Sequence, residues 1–449
     1  MRSLVALVFA FIILFAPYKS DAKFVHYKLN NGLNVYLEED HSLPIVNVTI
    51  LYRVGCVDEY NSITGISHML EHMNFRGSKH YKDGFIDRLT MKYGGVDNAE
   101  TSFDYTVYFT TISKEALKEV LGFYADNMNN LLLKKDKFLK ERSVVYQERL
   151  WRIDNSADGF LYFTLHNIAY KASPYRWTPI GFSYDIRHYT IDELKSYYKK
   201  YYAPNNAVLV VSGDINLQNT YNLIKRLFGY KKPREIVRHI TLEPEQLGRR
   251  IAYIKKPSEF KKIAIAFKIP SIKDTKDSAV LDLITYILFE GKTALAQNDL
   301  VRKKHVLVDI GGWNESRYYD KGLYEIFATL PEKVSFKRAR QYILDELNKL
   351  KRGDFSHEIL KVAKEKAKID YLLSKETLME RNMNEAYYAA FGLLGYYKNY
   401  LNTIDSITKK DIETVAKKYF DEVDETDVYL KPIKGVKVVP SLKYKGSLR

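Results

Sequence analysis

The chain has almost no cysteine and, after its first residues, no long apolar run. Cys56 is the only cysteine among 449 residues, which excludes an intramolecular disulfide framework. After residue 22 no segment has the 18 or more consecutive apolar residues typical of a membrane helix. Glycine (22) and proline (12) are also scarce, so disorder is not expected to dominate. We expect a folded, multidomain protein without a stable membrane span.

The N-terminal segment is the exception, because it has the pattern of a secretory signal peptide. Arg2 precedes an apolar run from Leu4 to Ala16, and Ser20 and Ala22 are small residues at the positions typical of a cleavage site. We expect cleavage near Ala22 and removal of residues 1–22, although the pattern also fits an uncleaved anchor. An exported protein without disulfides fits the bacterial periplasm, or bacterial secretion, better than the outside of an animal cell.

The chain has a formal net charge of +15. Its lysines are interspersed with acidic residues throughout, and no motif of stacking aromatic residues accompanies them. We interpret the charge as a solvated, lysine-rich surface and expect no nucleic-acid partner. A basic adaptor at a membrane surface is an alternative that depends on the net charge only.

An internal repeat indicates two homologous domains. Glu193–Tyr202 (ELKSYYKKYY) and Asp411–Phe420 (DIETVAKKYF) are alike, lie about half the chain apart, and are each followed by a strand pattern. A repeat of this length indicates a duplicated domain rather than a solenoid. Alternating strand patterns and capped helical patterns occur in both halves, which predicts an α+β fold.

We place a first domain at 23–230 and a second at 249–449. The segment between them, 231–248, is polar, contains Pro233 and Pro244 and has no period, so we interpret it as a linker. Within the first domain, the stretch VDNAETSFDYTVYFTTI at 96–112 alternates throughout and predicts one long strand.

The stretch ISHMLEHMNF contains two of only ten histidines in the chain. On a helix, His68 and His72 lie on one face and Glu71 lies beside them. Two imidazoles can then bind one metal ion while Glu71 reaches its water, which is the H-x-x-E-H order. The alternative is a surface helix with solvated histidines. A buried setting is favoured by the neighbouring apolar residues Met69, Leu70 and Met73.

A catalytic zinc ion usually takes three protein ligands. Glu141 and Glu148 are two helical turns apart on the predicted helix from about Asp136 to Arg152, so either can face the histidines. Spacing alone selects neither glutamate. A zinc ion held this way, one per chain, lowers the pKa of its water, and Glu71 is the expected general base.

The second half repeats this region without the metal-binding side chains. MNFRGS in the first half corresponds to ILFEGKT in the second. That alignment places three non-ligating residues where His68, Glu71 and His72 stand, namely Asp282, Thr285 and Tyr286.

The chain resembles the pitrilysin and mitochondrial processing peptidase family of zinc peptidases, the inverted zincins. The matching stretches run from about residue 27 to 430 and include GISHMLEHMNFRGS, YGGVDNAETSFDYTVYF, ERSVVYQERLWR, SPYRWTPIGF and LFEGKTALAQNDLVRKK. In that family the third ligand is a glutamate at a characteristic distance after the motif. The resemblance therefore implies Glu148 as the ligand, because its distance from His72 matches the family's, and Glu141 as an assisting acid.

The resemblance also implies a clam-like chamber and a substrate laid as an added strand near Asn98 and Ala99. Family members often supply an arginine and, seven residues later, a tyrosine from the metal-free half. Arg302 matches the arginine, but Val308 and Asp309 occupy the place of the tyrosine.

We therefore expect a zinc endopeptidase that acts on peptides or unfolded segments. One alternative is a zinc-bearing subunit that is active only as a homodimer, or as a heterodimer with a related chain carrying the arginine–tyrosine pair. Another is a non-catalytic peptide-binding subunit.

Overall fold

The computed structural model describes residues 23–433 and residue 435, and it contains two β-sheets covered by helices. The predicted signal peptide, residues 1–22, lies outside the described residues. The first sheet has the strand order β1-β2-β6-β3-β5-β4. Its strands are β1 Lys23–Lys28, β2 Asn34–Glu39, β3 Ile45–Tyr52, β4 Val96–Thr101, β5 Thr106–Ser113 and β6 Ala207–Gly213.

The second sheet has the strand order β7-β11-β8-β10-β9. Its strands are β7 Arg250–Pro257, β8 Lys261–Ile269, β9 Asp309–Glu315, β10 Gly322–Leu330 and β11 Glu425–Ile433. Each sheet contains one parallel pair, β2 with β6 and β7 with β11, and is otherwise antiparallel. The second sheet thus repeats β2 to β6 of the first, and the predicted α+β fold with two homologous units is confirmed.

Each sheet packs one face against helices of its own half. The helices of the first half are α1 Ile66–Asn74, α2 Phe85–Tyr93, α3 Leu117–Asn130, α4 Lys135–Arg149, α5 Ala157–Ala169, α6 Ser183–His188, α7 Ile191–Tyr201 and α8 Leu217–Phe228. Those of the second half are α9 Thr275–Leu288, α10 Phe336–Arg352, α11 His357–Leu373, α12 Leu378–Ala390, α13 Leu394–Lys398, α14 Tyr400–Ser406 and α15 Lys409–Tyr419. No helix of the described chain has both the length and the apolar character needed to cross a membrane.

The region predicted as one long strand is a hairpin of β4 and β5. Ser102 donates its backbone N–H to the Tyr105 carbonyl at 2.8 Å and closes the turn between them. The prediction of a single strand was wrong because the alternation of side chains continues on both sides of so short a turn. As a consequence β4 lies at the edge of the sheet, where only β5 pairs with it.

One helix of each half packs against the sheet of the other half. Helix α5 packs against β11, β7 and β8 of the second sheet, and α12 packs against β3, β6 and β5 of the first. Leu165 on α5 is fully buried, and Met383 on α12 is 6% exposed. The Asn382 amide on α12 donates to the Asn47 side chain at 2.7 Å. This exchange buries the second face of both sheets and ties the halves together.

Between α8 and β7 the described chain forms neither helix nor strand, and it crosses from one half to the other. The Glu243 carboxylate in this segment is buried and accepts backbone N–H groups from Lys171, Ala172 and Ser173. Its pKa is lowered, since these hydrogen bonds and nearby Lys268 outweigh the effect of burial.

Candidate metal centre

Helix α1 is held at its N-terminus by a carboxylate from outside the helix. Its N-cap, Gly65, has no side chain to accept a hydrogen bond and adopts φ 84°, which suits glycine. Glu59 replaces the missing cap, accepting the backbone N–H groups of Gly65 at 2.8 Å and Ser67 at 2.9 Å. The indole N–H of Trp177 donates to the same carboxylate at 3.0 Å. These contacts fix the start of the helix that carries His68.

Helices α1 and α4 bring His68, His72 and Glu148 together. One ligand atom from each residue lies within 4.8 Å of the others. Oε2 of Glu148 is 3.4 Å from Nε2 of His72 and 3.7 Å from Nε2 of His68. In the part of the chain that the structure describes, this is the one group of three or more such side chains with this spacing.

The three side chains suit a zinc ion. Zinc bonds of about 2.0–2.1 Å in a tetrahedral arrangement place ligand atoms roughly 3.3–3.4 Å apart, close to the two distances to Glu148. The contact between His68 and Glu148 is too long for a hydrogen bond, and Nδ1 of His68 has no partner among the described residues. Two imidazole nitrogens and a carboxylate oxygen lie this close together without a hydrogen bond between His68 and Glu148, so the donor set fits the metal.

Protonation of the cluster follows from burial and from the contacts with glutamates. Burial and the neighbouring His72 charge lower the pKa of His68 to about 3. Burial also acts to lower the pKa of His72, but the carboxylates of Glu141 and Glu148, each 3.4 Å from one of its ring nitrogens, outweigh it and raise that pKa to about 9. The pKa of Glu148 falls to about 2, because His72, His68 and Arg152 outweigh the effect of burial. Metal binding by His72 requires its neutral ring and would release a proton.

The Glu71 carboxylate lies on the same face of α1 and is oriented by the end of β4. The Thr101 hydroxyl donates to its Oε2 at 2.5 Å. Burial raises the pKa of Glu71 to about 7, since the Thr101 hydrogen bond offsets burial only in part. A carboxyl group with this pKa can both take and give a proton near neutral pH.

Each of the two glutamates near the cluster forms an ion pair with an arginine. Oε2 of Glu141 is 3.4 Å from Nδ1 of His72, on the opposite side of the ring from Glu148, and Oε1 of Glu141 is 2.8 Å from Nε of Arg76. Nε of Arg152 is 2.8 Å from Oε1 of Glu148. Spacing alone left the two glutamates equivalent, but the structure gives them different places. Glu148 lies near Nε2 of both histidines, whereas Glu141 lies near Nδ1 of His72 and pairs with Arg76.

Asn98 and Ala99 lie on the edge strand β4. They pair with Phe109 and Tyr108 of β5, and no strand of the described chain pairs with their other side. Asn98 is exposed, and its side-chain oxygen accepts the N–H of Ala99 at 2.9 Å. The unpaired edge of β4 leads directly to Thr101, the partner of Glu71.

Arg302 lies on a π-helical turn, Gln297–Lys303, in the second half. Its guanidinium donates to the Lys292 carbonyl at 2.8 Å, and none of the contacts found among the described residues joins it to the histidine cluster. Its role in substrate binding stays a prediction.

Four residues around the centre were missed by sequence reasoning. Arg76 and Arg152 follow His72 and Glu148 by four positions, so helical spacing was a usable signal for both. Nothing in the sequence pattern pointed to Thr101 or Glu59, because each acts across a turn or loop.

The chain has two homologous α+β halves, and the first carries an H-x-x-E-H helix that faces the helix of Glu148. This combination of fold and site is typical of the metallopeptidase class. Residues 34–178 match the family model described as "Insulinase (Peptidase family M16)", and residues 188–367 match "Peptidase M16 inactive domain". The second match covers α9, where Asp282, Thr285 and Tyr286 align with the motif.

The chain is 36% identical over 413 residues to the zinc protease PqqE of Helicobacter pylori, covering 90% of this chain and 92% of that protein. The crystal structure of a protease from Helicobacter pylori matches with a TM-score of 0.88 and 35% identity, over 92% of this chain and all of that one. The first half of the periplasmic protease PqqL from Escherichia coli shares the fold, with a TM-score of 0.73 and 18% identity over 91% and 92% of the two chains. The chain therefore belongs to peptidase family M16, together with relatives named zinc proteases.

Proposed function

We propose that this chain is a zinc-dependent endopeptidase that hydrolyses peptides or unfolded polypeptide segments. The observation that carries the proposal is the cluster of His68, His72 and Glu148, with Glu71 on the same helix face and the unpaired edge of β4 beside it. Degenerate copies lose these residues, as α9 of the same chain has done.

His68, His72 and Glu148 would hold one zinc ion, with Glu141 keeping the His72 ring in place through Nδ1. Zinc, when bound there, supplies a Lewis acid that activates water and polarises a carbonyl group. Glu71 takes a proton from the attacking water and passes it to the leaving amine. Thr101 keeps the Glu71 carboxylate aimed at that position.

Substrate would bind as an added strand along β4, near Asn98 and Ala99. Main-chain pairing recognises an extended peptide with little dependence on its side chains. An unfolded segment can adopt the extended conformation that this pairing needs, so unfolded segments are the favoured substrates.

A second candidate is a zinc-bearing subunit that needs a related chain. Val308 and Asp309 cannot donate a hydrogen bond as tyrosine does. The Arg302 guanidinium is hydrogen-bonded to the Lys292 carbonyl. A partner chain, in a homodimer or a heterodimer, would then supply the missing donor.

We also propose a division into a zinc-bearing domain at 23–230, a connecting segment at 231–248 and a second domain at 249–449. The two sheets lie on either side of the connecting segment, which supports the division. A periplasmic or secreted location after cleavage near Ala22 is supported by the N-terminal pattern and by the description of PqqL as periplasmic.

The test is the zinc content of the purified mature chain, with and without Glu148→Gln, followed by hydrolysis of a quenched peptide library. Zinc near one per chain, weakened by the substitution and accompanied by cleavage, supports a self-sufficient peptidase. Zinc without cleavage favours the subunit that needs a partner. Absence of zinc from the wild-type chain overturns the ligand assignment.

A further inference from the structure

Arg152 lies beside the candidate metal centre, on the π-helical turn Leu150–Asp154 that directly follows α4. Its Nε is 2.8 Å from Oε1 of Glu148, whereas the other glutamate oxygen, Oε2, is the one near both histidines. The Arg152 side chain is 58% exposed, so it is accessible to a substrate. Single π-helical turns often occur at functional sites.

The backbone of this turn is held in place from both sides. The buried guanidinium of Arg149 pairs with Asp154 at 3.2 Å, and Lys256 of β7 donates to the Asp154 carbonyl. Helix α5 packs so closely on the turn that a Cβ atom at Gly159 would collide with the Arg152 carbonyl oxygen. Arg152 is therefore an exposed side chain on a tightly packed backbone.

Most of the Arg152 guanidinium is available for a further acceptor. A guanidinium has five N–H donors in a planar fork, and only the Nε–H of Arg152 faces Glu148. No contact found among the described residues engages its two Nη groups. Arg76, the other arginine at the centre, differs, because its Nε pairs with Glu141 at 2.8 Å and its Nη1 lies 3.4 Å from Asp83. Arg152 is thus the better placed of the two to bind a substrate oxygen.

The proposed hydrolysis needs a hydrogen-bond donor at the carbonyl oxygen. When the water oxygen bonds to the carbonyl carbon, the π electron pair of the C=O bond moves to the carbonyl oxygen and Glu71 takes the proton of the water. The oxygen stays negative until the C=O bond re-forms, the C–N bond breaks and the amine receives the proton from Glu71. Preorganised donors at such an oxygen are usually a large part of catalysis. Glu71 belongs to α1 and is bonded to Thr101 of β4, whereas Arg152 approaches the cluster from the end of α4.

We infer that the Nη groups of Arg152 donate to the oxygen of the scissile carbonyl as it gains charge, while Nε keeps Glu148 oriented. The inference rests on the proposed function for its substrate and its reaction. Arginine suits this role, because its planar fork can bind two acceptors at once and its charge is always present. The donor then comes from the same chain, whereas the second candidate function above takes it from a partner.

The experiment compares Arg152→Gln and Arg152→Lys with the zinc-loaded wild-type chain, on peptides that are acetylated and amidated at their ends. Arg152→Gln should lower kcat about 10²–10³-fold and change KM less than about threefold, as expected for a donor that acts in the transition state. Arg152→Lys keeps the charge without the fork and should recover only part of the loss. Arg352→Gln is the matched control and should behave as wild type, since exposed Arg352 pairs with Asp354 through Nε at 2.7 Å in the second half.

A phosphinic peptide gives a readout that does not need turnover. Its tetrahedral anionic group resembles the attacked carbonyl, so it reports binding of the transition state. Its affinity, measured by calorimetry at saturating zinc, should fall about 10²-fold in Arg152→Gln. Competition with a chelator measures the zinc affinity of each variant separately.

The outcomes separate this inference from the proposed function. Equal kcat in Arg152→Gln and wild type, or a loss that excess zinc restores, overturns the inference and leaves the peptidase standing. A wild-type chain that cleaves nothing, but binds the phosphinic peptide more tightly than Arg152→Gln does, supports the inference and overturns the self-sufficient peptidase. Absence of phosphinic-peptide binding to the wild type overturns both. A loss confined to peptides with a free C-terminal carboxylate assigns Arg152 to that terminus and also overturns the inference.

Discussion

Helices α1 and α9 occupy equivalent places in the two halves, and each faces a long helix, α4 or α11. In the first half the contact between such helices joins His72 to Glu148 at 3.4 Å, and in the second it joins Tyr286 to Asp370 at 2.7 Å. The offset that relates the two repeated segments carries Glu148 to Lys366, which lies one helical turn before Asp370. The equivalent pairs of helices thus make polar contacts in both halves, with different chemistry.

The difference shows how little of the scaffold determines the chemistry. Thr285, at the position of Glu71, is fully buried and hydrogen-bonded to Tyr324 at 3.1 Å. Its place is filled by packing, whereas Glu71 keeps an ionisable group beside the metal site. The first half carries the side chains proposed for hydrolysis, and the second contributes aromatic and acidic side chains to the cleft between the halves.

The largest expected effect comes from removing the Glu71 carboxylate, which has no counterpart in the second half. Glu71→Gln should lower kcat by about 10²–10⁴-fold, the contribution typical of a general acid–base, and leave zinc content unchanged. Steady-state hydrolysis of a quenched peptide and metal analysis measure the two quantities. Exposed Glu115→Gln is the control and should behave as wild type. Full activity in Glu71→Gln would remove the catalytic distinction between the halves.

The exchanged helices α5 and α12 test whether the halves are coupled. Leu165→Ala and Met383→Ala should each lower the free energy of unfolding by about 2–5 kcal/mol. Each substitution leaves a cavity between a helix of one half and the sheet of the other. Denaturant unfolding provides the measurement, and Leu372→Ala, at an exposed site, should cost less than about 0.5 kcal/mol.

Hydrogen exchange distinguishes coupled from independent halves. Since α5 covers the second sheet, Leu165→Ala should speed exchange in β8 and β11 although the substitution lies in the first half. Faster exchange confined to the first sheet would contradict the coupling.

The sequence was sufficient for the repeat, the fold class and the residues of the motif, since helical spacing and duplicated segments are local signals. It was insufficient where contacts cross between distant segments. The reciprocal exchange of α5 and α12 has no local signal, because an amphipathic helix does not specify which sheet it covers. The turn at Ser102–Tyr105 was not predicted, because the alternation of side chains continues through it. Selection of Glu148 over Glu141 needed either the family resemblance or the orientation of α4.

Substitution of Glu141, which contacts His72 from outside the cluster, is expected to have a smaller effect. Glu141→Gln should weaken zinc affinity or activity about 10–100-fold, because the substitution removes the carboxylate charge that faces Nδ1 of His72. Competition with a zinc chelator measures the affinity. Glu148→Gln provides the comparison and should lose more affinity than Glu141→Gln. Equal losses in the two variants would mean that the glutamates are not distinguished as their positions suggest.

The last test concerns how the two equivalent helices are capped. Helix α9 is capped locally by Asp274, whose side chain accepts the N–H of Asp277, whereas α1 depends on distant Glu59. Burial raises the pKa of Glu59 to about 8, although its N–H donors act in the opposite direction. Because this folded-state pKa lies above the usual value, the folded chain binds the extra proton. The resulting stability is complete below about pH 4.5 and is lost as the pH rises through about 8.

Glu59→Gln should therefore remove this part of the pH dependence of the free energy of unfolding. Between pH 5 and 8 the wild-type free energy of unfolding should fall more steeply than that of the variant, by up to about 1.4 kcal/mol per pH unit. The deficit of the variant is then largest near pH 5 and shrinks towards pH 8. Denaturant unfolding across this range measures it, with exposed Glu235→Gln as control. Parallel profiles for Glu59→Gln and wild type would show that Glu59 is already ionised under α1, and the two helix caps would then differ in position only.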